Sequence, residues 1–340
     1  MKKKTALVAS MVTAVTLALL LAGCTPPATS TSGAGIVGAT ATGTVKATKL
    51  PQSCKSAKPV IGVALPDTTN PYYVAMRQGF LDAGAKDGFN AVVAVANDDD
   101  ATQLAQVQSF IQQKVCAVAL NPVNSGPGAA SVKALNDAGI PAFTVNLLVS
   151  GSDLKTQGAH ITQFVGADQV QGGRAQGEQA VKDFAGTPIV TGIVGFPNSV
   201  TANQRDDAFT KALGSKGTIK TKVDGKADPN VSLQVTTDML QGNPDINVVF
   251  GDTGPAVLGA IQAVNQLGLA KKVSVYGFCA ANTALKGAYK SCVAQEPAVY
   301  AATVVKSIRS YVDGKSIEAT ILVPVISFVT GGKPDATQLG

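Results

Sequence analysis

Residues 59–80 read PVIGVALPDTTNPYYVAMRQGF, and the rest of the chain repeats the organisation of this stretch. Its first segment, 60–65, is a short apolar run of the kind that a parallel strand buried on both faces requires. After a polar turn, Asn70 and Pro71 are residue types preferred at the N-cap and the first position of a helix. The larger apolar residues that follow, through Phe80, recur at helical spacing. The stretch therefore predicts a strand, a loop and a helix.

The loop after this first strand is a candidate ligand site. In open α/β sheets, ligands bind at the carboxyl ends of the strands. Asn70, Tyr72 and Tyr73 supply an amide that both donates and accepts hydrogen bonds, and rings that combine a flat apolar face with a hydroxyl. A sugar needs that mixture, because hydroxyls surround its rim and C–H groups cover its faces. The alternative is an ordinary strand–helix loop with Tyr73 in the core.

The chain continues with the same alternation of strands and helices. Further strands are predicted near 91–96, 115–120, 141–146, 161–166, 189–195, 218–223, 246–250, 273–278 and 291–295. Helices are predicted near 72–86, 101–114, 125–138, 169–185, 199–214, 230–241, 254–268, 281–289 and 297–312, with an extended end at 321–329. Regular alternation of this kind predicts an α/β fold with doubly wound parallel sheets, and 340 residues are enough for two lobes.

The N-terminus has the pattern of a bacterial lipoprotein signal peptide. Lys2–Lys4 precede an uncharged apolar run at 5–21, which ends in Leu-Ala-Gly-Cys at 21–24. We therefore expect residues 1–23 to be removed and Cys24 to carry a lipid that holds the protein at the outer face of a membrane, at the cell surface or in the periplasm. A plain transmembrane anchor is the alternative, but the apolar run is short for a span.

Residues 24–57 are rich in small and polar residues and predict a flexible tether that begins at the acylated Cys24. The net charge of the whole chain is +6, and removal of the three N-terminal lysines leaves +6 − 3 = +3. This excess of positive charge is too small to indicate a nucleic-acid partner.

Four further cysteines form an even set in an exported chain, where disulfides persist. They are Cys54, Cys116, Cys279 and Cys292. Among the three possible pairings we expect 54 with 116, because both lie beside predicted neighbouring strands, and 279 with 292, because both flank the helix predicted at 281–289. The absence of a CxxC motif or a Cys/His cluster gives no indication of a metal site.

The residues that would perform catalysis are scarce. His160 is the sole histidine, and no Gly-x-Ser-x-Gly motif occurs. The predicted loops at strand ends carry amides, which bind ligands but do not readily transfer protons. The sequence therefore predicts a binding protein that is not an enzyme and needs no cofactor. A glycoside-acting enzyme that uses Asp252 is the alternative.

Several short motifs occur in an order that resembles one family. They are TNPYY at 69–73, LNP at 120–122, AGIP at 138–141, VGAD at 165–168, GG at 172–173, NPD at 243–245, VF at 249–250, LGA at 258–260 and VYGF at 275–278. With them, residues 58–330 resemble the type I periplasmic sugar-binding proteins, closest to the ribose-binding branch, which feed ABC importers.

The resemblance implies two lobes joined by a hinge of three crossing strands. One lobe would comprise 58–166 plus 297–324, and the other 167–296 plus 325–340. The implied partners are one small molecule, such as a pentose or another sugar or polyol, and the permease of an ABC importer, with the protein acting as a monomer. A sensor partner that presents the ligand to a membrane receptor remains an alternative.

The resemblance also implies a set of ligand contacts. They are Asn70, Tyr72, Tyr73, Asn121, Asn146, Phe196, Arg205, Thr253, Phe278 and Gln295, with Asp252 joining them if its loop shifts by one residue. The aromatic residues would supply flat faces, the guanidinium a fork of donors, and the amides both donors and acceptors. Some of these residues have an alternative role. Tyr73 and Phe278 could instead be core residues, Arg205 could form a surface ion pair, and Gln295 could serve only in the hinge.

Three positions depart from the ribose-binding pattern. Asn146 and Leu147 stand where an Asp-Arg pair is usual, Cys279 stands where an aspartate is expected, and no aromatic residue occurs near Ala227. A buried hydroxyl left without a partner costs about 1–3 kcal/mol. These exchanges therefore predict a ligand other than ribose, such as another pentose, a hexose, a polyol or a less polar small molecule.

Overall fold

Two six-stranded sheets organise residues 42–340, the part of the chain that the computed structural model describes. The strands, in chain order, are β1 (Thr44–Val45), β2 (Val60–Leu65), β3 (Asn90–Val95), β4 (Ala117–Leu120), β5 (Ala142–Val145), β6 (Gln163–Ala167), β7 (Ile189–Gly195), β8 (Gly217–Asp224), β9 (Val248–Gly251), β10 (Ser274–Phe278), β11 (Tyr289–Ala294), β12 (Ile317–Glu318), β13 (Thr320–Val323) and β14 (Ile326–Val329).

Helices connect most of the strands. In chain order they are α1 (Pro71–Lys86), α2 (Asp100–Gln112), α3 (Gly128–Asp137), α4 (Gly151–Gln157), α5 (Gln169–Phe184), α6 (Val200–Leu213), α7 (Pro229–Gly242), α8 (Gly254–Gln266) and α9 (Pro297–Val312). Short 3-10 helices occur at Gln52–Lys55 and Gly214–Lys216.

Each sheet forms the centre of one lobe. The first sheet has the order β13-β6-β5-β4-β2-β3 and is parallel throughout. The second sheet has the order β14-β11-β10-β9-β7-β8 and is parallel except for β14, which pairs antiparallel with β11. The chain changes sheet three times, after β6, after β11 and after β13. The predicted α/β fold with two parallel-sheet lobes is therefore confirmed.

The predicted helix at 281–289 is wrong. Residues between β10 and β11 form an irregular loop, in which Asn282 and Gly287 have φ angles of 54° and 63°. These left-handed conformations interrupt a helix, although the alanine-rich sequence favours one. The short helix α4 was not predicted.

Both predicted disulfides are present, Cys54–Cys116 and Cys279–Cys292. The second one does not bracket a helix. It joins the residue after β10 to the neighbouring strand β11, which is possible because the two strands pair in parallel. The disulfide thus fixes one end of the irregular loop to the second sheet.

The N-terminal segment of the described region is attached to the first lobe. Strand β1, inside the predicted tether, pairs with β12, and Cys54 is tied by its disulfide to the residue before β4. The predicted signal peptide and Cys24 lie outside the described residues. Among the helices within 42–340, none combines the length and the apolar character needed to cross a membrane.

Candidate functional site

The carboxyl ends of strands from both sheets border one cleft. Its larger part, the outer cavity, has a volume of about 810 Å³. The first lobe lines it with residues that include Asp67, Asn70 and Asp98, and the second lobe with residues that include Asp224 and Asp228. Because both lobes contribute, a molecule in the outer cavity contacts two halves of the protein at once.

A smaller inner cavity of about 40 Å³ adjoins the outer one, and several residues line both. Eight of the eleven predicted ligand contacts line the inner cavity. They are Asn70, Tyr72, Tyr73, Asn146, Phe196, Arg205, Thr253 and Gln295. Residues from distant parts of the sequence meet here, because Asn146, Phe196 and Gln295 each directly follow a strand.

The first wall of the inner cavity is the start of α1. Asn70 caps this helix, and its Oδ1 accepts a hydrogen bond of 3.0 Å from the backbone N–H of Tyr72. Asp67 Oδ1 in turn accepts from the backbone N–H of Asn70 at 2.8 Å. The rings of Tyr72 and Tyr73 pack edge to face, with centroids 5.5 Å apart, and burial raises the pKa of both phenols.

The second lobe contributes Arg205, on α6, which is only 4% exposed. Its Nε donates to Gln169 Oε1 at 2.6 Å, and its Nη1 donates to the backbone carbonyl of Asp252 at 2.7 Å. The guanidinium also stacks on Phe278, 3.7 Å from the ring centroid. Burial lowers the pKa of Arg205 from its ordinary value. The predicted alternative, an exposed surface ion pair, is therefore wrong for this side chain.

Helix α6 approaches α5 closely enough to hold Arg205 in place only because glycine occurs there. A Cβ at Gly173 would collide with the backbone carbonyl of Arg205, and one at Gly177 would lie 2.6 Å from the Cβ of Ala212. The GG motif at 172–173 is thus part of the site's geometry, since it sets the distance between the two helices.

Two predicted contacts are core residues in this structure. Asn121 directly follows β4, but its side chain is fully buried, and its Nδ2 lies 3.6 Å from Met76 Sδ. Phe278 is also fully buried and lies beneath the guanidinium of Arg205. Neither residue lines the inner or the outer cavity. Both residues lie at strand ends, as predicted, but their side chains are in the core and not in the cleft.

Asp252, the third predicted residue away from both cavities, belongs to a buried charged cluster behind Arg205. Its Oδ2 accepts a hydrogen bond of 2.7 Å from the backbone N–H of Phe196. Nearby, Asp206 forms an ion pair with Lys222. Burial and then the charge of Asp206 raise the pKa of Asp252 well above its usual range.

Ser199, Thr201 and Gly340 line the inner cavity and were missed by the sequence analysis. Ser199 caps α6 directly beyond the loop that follows β7, and this capping pattern in the sequence was an available signal. Gly340 reaches the site because Leu339 forms a backbone bridge with Gln295. No sequence pattern indicates that pairing.

Hydrogen bonds also join the lobes beside the cleft. The backbone N–H of Val200 donates to Ser125 Oγ at 2.9 Å, and the backbone N–H of Ser125 donates to the carbonyl of Asn198 at 3.1 Å. Thr201 Oγ1 accepts from the backbone N–H of Leu148 at 2.9 Å. These contacts hold the two lobes together on one side of the cleft.

Neither the histidine nor a metal-binding cluster lies in the described part of the cleft. His160 lines neither cavity, and within residues 42–340 no group of three or more His, Cys, Asp or Glu residues is arranged to hold a metal ion. The inner cavity combines amides, aromatic rings and one guanidinium, and four aspartates line the outer cavity. Two lobes of parallel sheet that meet at such a polar cleft define a two-lobed ligand-binding protein.

Residues 61–316 match the family model described as a periplasmic binding protein domain, and the chain belongs to this family. The resemblance seen in the sequence motifs is confirmed. The ribose import binding protein RbsB of Bacillus subtilis strain 168 is 26% identical over 78% of this chain and 85% of its own length. The D-allose-binding periplasmic protein of Escherichia coli K12 is 27% identical over 72% of this chain and 81% of its own length.

Solved structures share the fold. A periplasmic solute-binding protein of an ABC transporter from Actinobacillus succinogenes 130z, with bound D-allose, superposes with a TM-score of 0.73 at 23% identity, covering 80% of this chain and 98% of that one. A myo-inositol-binding protein from Caulobacter, bound to myo-inositol, gives a TM-score of 0.73 at 25% identity, covering 82% and 95%.

Proposed function

We propose that the protein is an extracytoplasmic solute-binding protein that captures a sugar or sugar-like molecule between its lobes and delivers it to an ABC importer. The observation that carries this proposal is the inner cavity, where Asn146 and Tyr72 from the first lobe meet Arg205 from the second. Relatives named for ribose and allose support a sugar as the ligand.

The chemistry of the lining fits a polyhydroxy molecule. Asn146 and Gln295 offer amide groups, and Tyr73 and Phe196 offer rings that pack against C–H faces. A ligand that contacts both lobes binds the closed form more tightly than the open form, and therefore shifts the protein towards closure. The closed form is the one that docks on the permease.

The proposal extends to where the protein acts and how its lobes are divided. Acylation of Cys24 would anchor a monomer at the outer face of the membrane, with one lobe formed by 58–166 plus 297–324 and the other by 167–296 plus 325–340. The sequence pattern at 1–24 supports the anchor. Labelling with a radioactive fatty acid tests this part, because Cys24→Ala should abolish incorporation of label.

A thermal-shift screen of pentoses, hexoses and polyols tests the proposed ligand class. A molecule that binds the native protein only will raise its melting temperature in proportion to ligand concentration. We expect at least one sugar to do so, and the shift should shrink in Asn146→Gly, which removes an amide from the inner cavity. Failure of every sugar and polyol to shift the melting temperature would contradict the proposal.

A further inference from the structure

The guanidinium of Arg205 is buried without an anionic hydrogen-bond partner. Its Nε and Nη1 donate to neutral oxygens, those of the Gln169 amide and the Asp252 backbone carbonyl. No ion pair within residues 42–340 includes Arg205, and its Nη2 makes no hydrogen bond to another described residue. A buried cation of this kind is costly unless an opposite charge reaches it.

The two nearby carboxyl groups, those of Asp206 and Asp252, do not hydrogen-bond the guanidinium of Arg205, although the charge of Asp252 acts on it. Asp206 forms its ion pair with Lys222, and Asp252 Oδ2 is bound by the backbone N–H of Phe196. Of the two bases in this cluster, Lys222 is ion-paired with Asp206, whereas the guanidinium of Arg205 lines the inner cavity and hydrogen-bonds neutral oxygens only.

A second donor without a partner lines the same cavity. Gln295 is 1% exposed, and its Nε2 has no hydrogen-bond partner. Its Oε1 lies 3.4 Å from the hydroxyl of Tyr300 and 3.1 Å from that of Tyr72, whose single proton is shared between this oxygen and Asn146 Oδ1 at 3.0 Å. The amide is thus oriented with its oxygen satisfied and its N–H groups available to an acceptor.

The size of the inner cavity matches one small group. A water molecule needs roughly 10–15 Å³ of such space, so the inner cavity of about 40 Å³ holds about three non-hydrogen atoms. A carboxylate has three. The remainder of the ligand must then lie in the outer cavity.

The outer cavity offers mainly hydrogen-bond acceptors, whereas the inner cavity offers donors. Asp67, Asp98, Asp224 and Asp228 line it, against a single cation, Lys226. Oδ1 of Asp67, Asp224 and Asp228 already accepts backbone N–H bonds, but each carboxylate has a second oxygen that can accept from a sugar hydroxyl and that disfavours a second anionic group. The cleft thus combines donors at its inner end with acceptors at its outer end.

We propose that the ligand is an acidic sugar, a polyhydroxylated carboxylate, whose carboxylate binds Arg205 and Gln295 while its hydroxyls face the aspartates of the outer cavity. This inference rests on the proposed sugar-binding function and narrows it.

Isothermal titration calorimetry on matched sugars tests the proposal. The probes are glucose, glucuronate and glucosamine, the same three forms of galactose, and ribose with ribonate. We expect at least one acid to bind no less than tenfold more tightly than its neutral and amino counterparts, and this preference should weaken as salt is added.

Variants separate charge from hydrogen bonding. Arg205→Gln retains donors without charge, and should reduce the preference for the acid to less than threefold. Gln295→Glu introduces a residue of nearly equal size and should weaken binding of the acid at least tenfold more than binding of the neutral sugar. This variant keeps the test valid if Arg205→Gln does not fold. Arg174→Gln is the matched control, because Arg174 is exposed and pairs with Glu178 on α5. This variant should prefer the acid over the neutral sugar as strongly as the wild type does.

The outcomes distinguish this inference from the proposed function. A neutral sugar that binds as tightly as its acid would overturn the acidic-sugar proposal and leave the sugar-binding function standing. Preference for the amino sugar would also overturn it, and would show that the outer aspartates dominate recognition. If none of the probes binds and no sugar changes the melting temperature, the proposed function itself fails.

Discussion

The hydroxyl of Tyr72 lies 3.1 Å from Oε1 of Gln295, and this contact joins the first helix of one lobe to a crossing between the lobes. The same hydroxyl lies 3.0 Å from Asn146 Oδ1. Two side chains from distant parts of the sequence, Asn146 and Gln295, therefore depend on one phenol. Since Gln295 also bonds through its backbone to Leu339, the contact extends to the C-terminal segment that lines the cleft.

We predict that Tyr72→Phe weakens ligand binding up to about tenfold and lowers the free energy of unfolding by about 1 kcal/mol, the net contribution of a buried hydrogen bond. Calorimetry and urea unfolding measure the two effects. Tyr276→Phe is the control, because its hydroxyl bonds Asp183 at 2.9 Å outside the cleft. It should lose stability without losing affinity. Equal affinity of Tyr72→Phe and the wild type would contradict the assigned role.

The first strand–loop–helix unit could be predicted closely from sequence. The apolar run at 60–65 coincides with β2, and α1 begins at Pro71 after its Asn70 cap, as the residue types indicate. Local propensity and local capping act within a few residues here, so sequence carries the necessary information. The loop at 279–288 shows the opposite case, because the disulfide and tertiary packing override a helix-favouring composition.

Part of the site could also be predicted from the sequence, because strand ends can be located from local patterns. Parallel strands place the residues that follow them at one edge of the sheet, which brought Asn146, Phe196 and Gln295 to the cavity as expected. The direction of each side chain depends on neighbours that are remote in sequence. Asn121 turns towards Met76, and Phe278 is covered by Arg205; neither neighbour can be identified from spacing along the chain.

Asn121→Ala should therefore destabilise the protein without changing ligand affinity. Loss of buried atoms should cost about 1–3 kcal/mol of unfolding free energy, with the dissociation constant changed less than about twofold. Asn146→Gly is the matched comparison. It keeps a residue that accepts the φ of 62° found at this position, yet removes the amide from the inner cavity. It should weaken binding several-fold, and the same result for Asn121→Ala would return that residue to the site.

Gly173→Ala is expected to affect binding through helix packing. The added methyl would collide with the backbone carbonyl of Arg205 and move α6 away from α5. Overpacking of this kind costs about 1–3 kcal/mol, and the shift of Arg205 should reduce affinity at least several-fold. Gly242→Ala, at the end of α7 with open space around it, is the control and should leave both quantities nearly unchanged. A crystal structure of Gly173→Ala with Arg205 in place would contradict this mechanism.

The free energy of unfolding should depend on pH through Asp98, which lines the outer cavity. Partial desolvation, then the charges of Asp67 and Asp228, raises the pKa of Asp98 to about 6 from an ordinary value near 3.8. The folded state therefore binds the proton more tightly than the unfolded state, and the resulting stability is lost as pH rises from about 4 through 6.

Asp98→Asn removes this loss, so the variant should gain unfolding free energy relative to the wild type at pH 7.5 and little at pH 4. Asp98 is exposed, and solvent screening should keep the gain below about 1 kcal/mol. Asparagine also tolerates the φ of 61° at this position. Urea unfolding at the two pH values measures the difference. A larger gain at pH 4 than at pH 7.5 would reverse the sign and contradict the assignment.

A substitution at Ser125 should show whether contacts between the lobes change the ligand affinity without contacting the ligand. Its Oγ accepts a hydrogen bond from the backbone N–H of Val200 across the interface, and it is not part of either cavity lining. Ser125→Ala removes a bond of about 1 kcal/mol that exists only when the lobes are close. The closed form should then be less populated, and the apparent affinity should fall about two- to tenfold.

The expected kinetic signature is a faster dissociation of ligand with a nearly unchanged association rate, because the closed complex opens more readily while the open half-sites are intact. Stopped-flow fluorescence measures both rates, and small-angle scattering of the ligand-free protein should show a larger radius of gyration for the variant. Ser310→Ala, on α9 and outside both cavities, is a control that should change neither quantity. A lower association rate with unchanged dissociation would instead mean that Ser125 acts on ligand entry, because lobe opening governs how fast the bound molecule leaves.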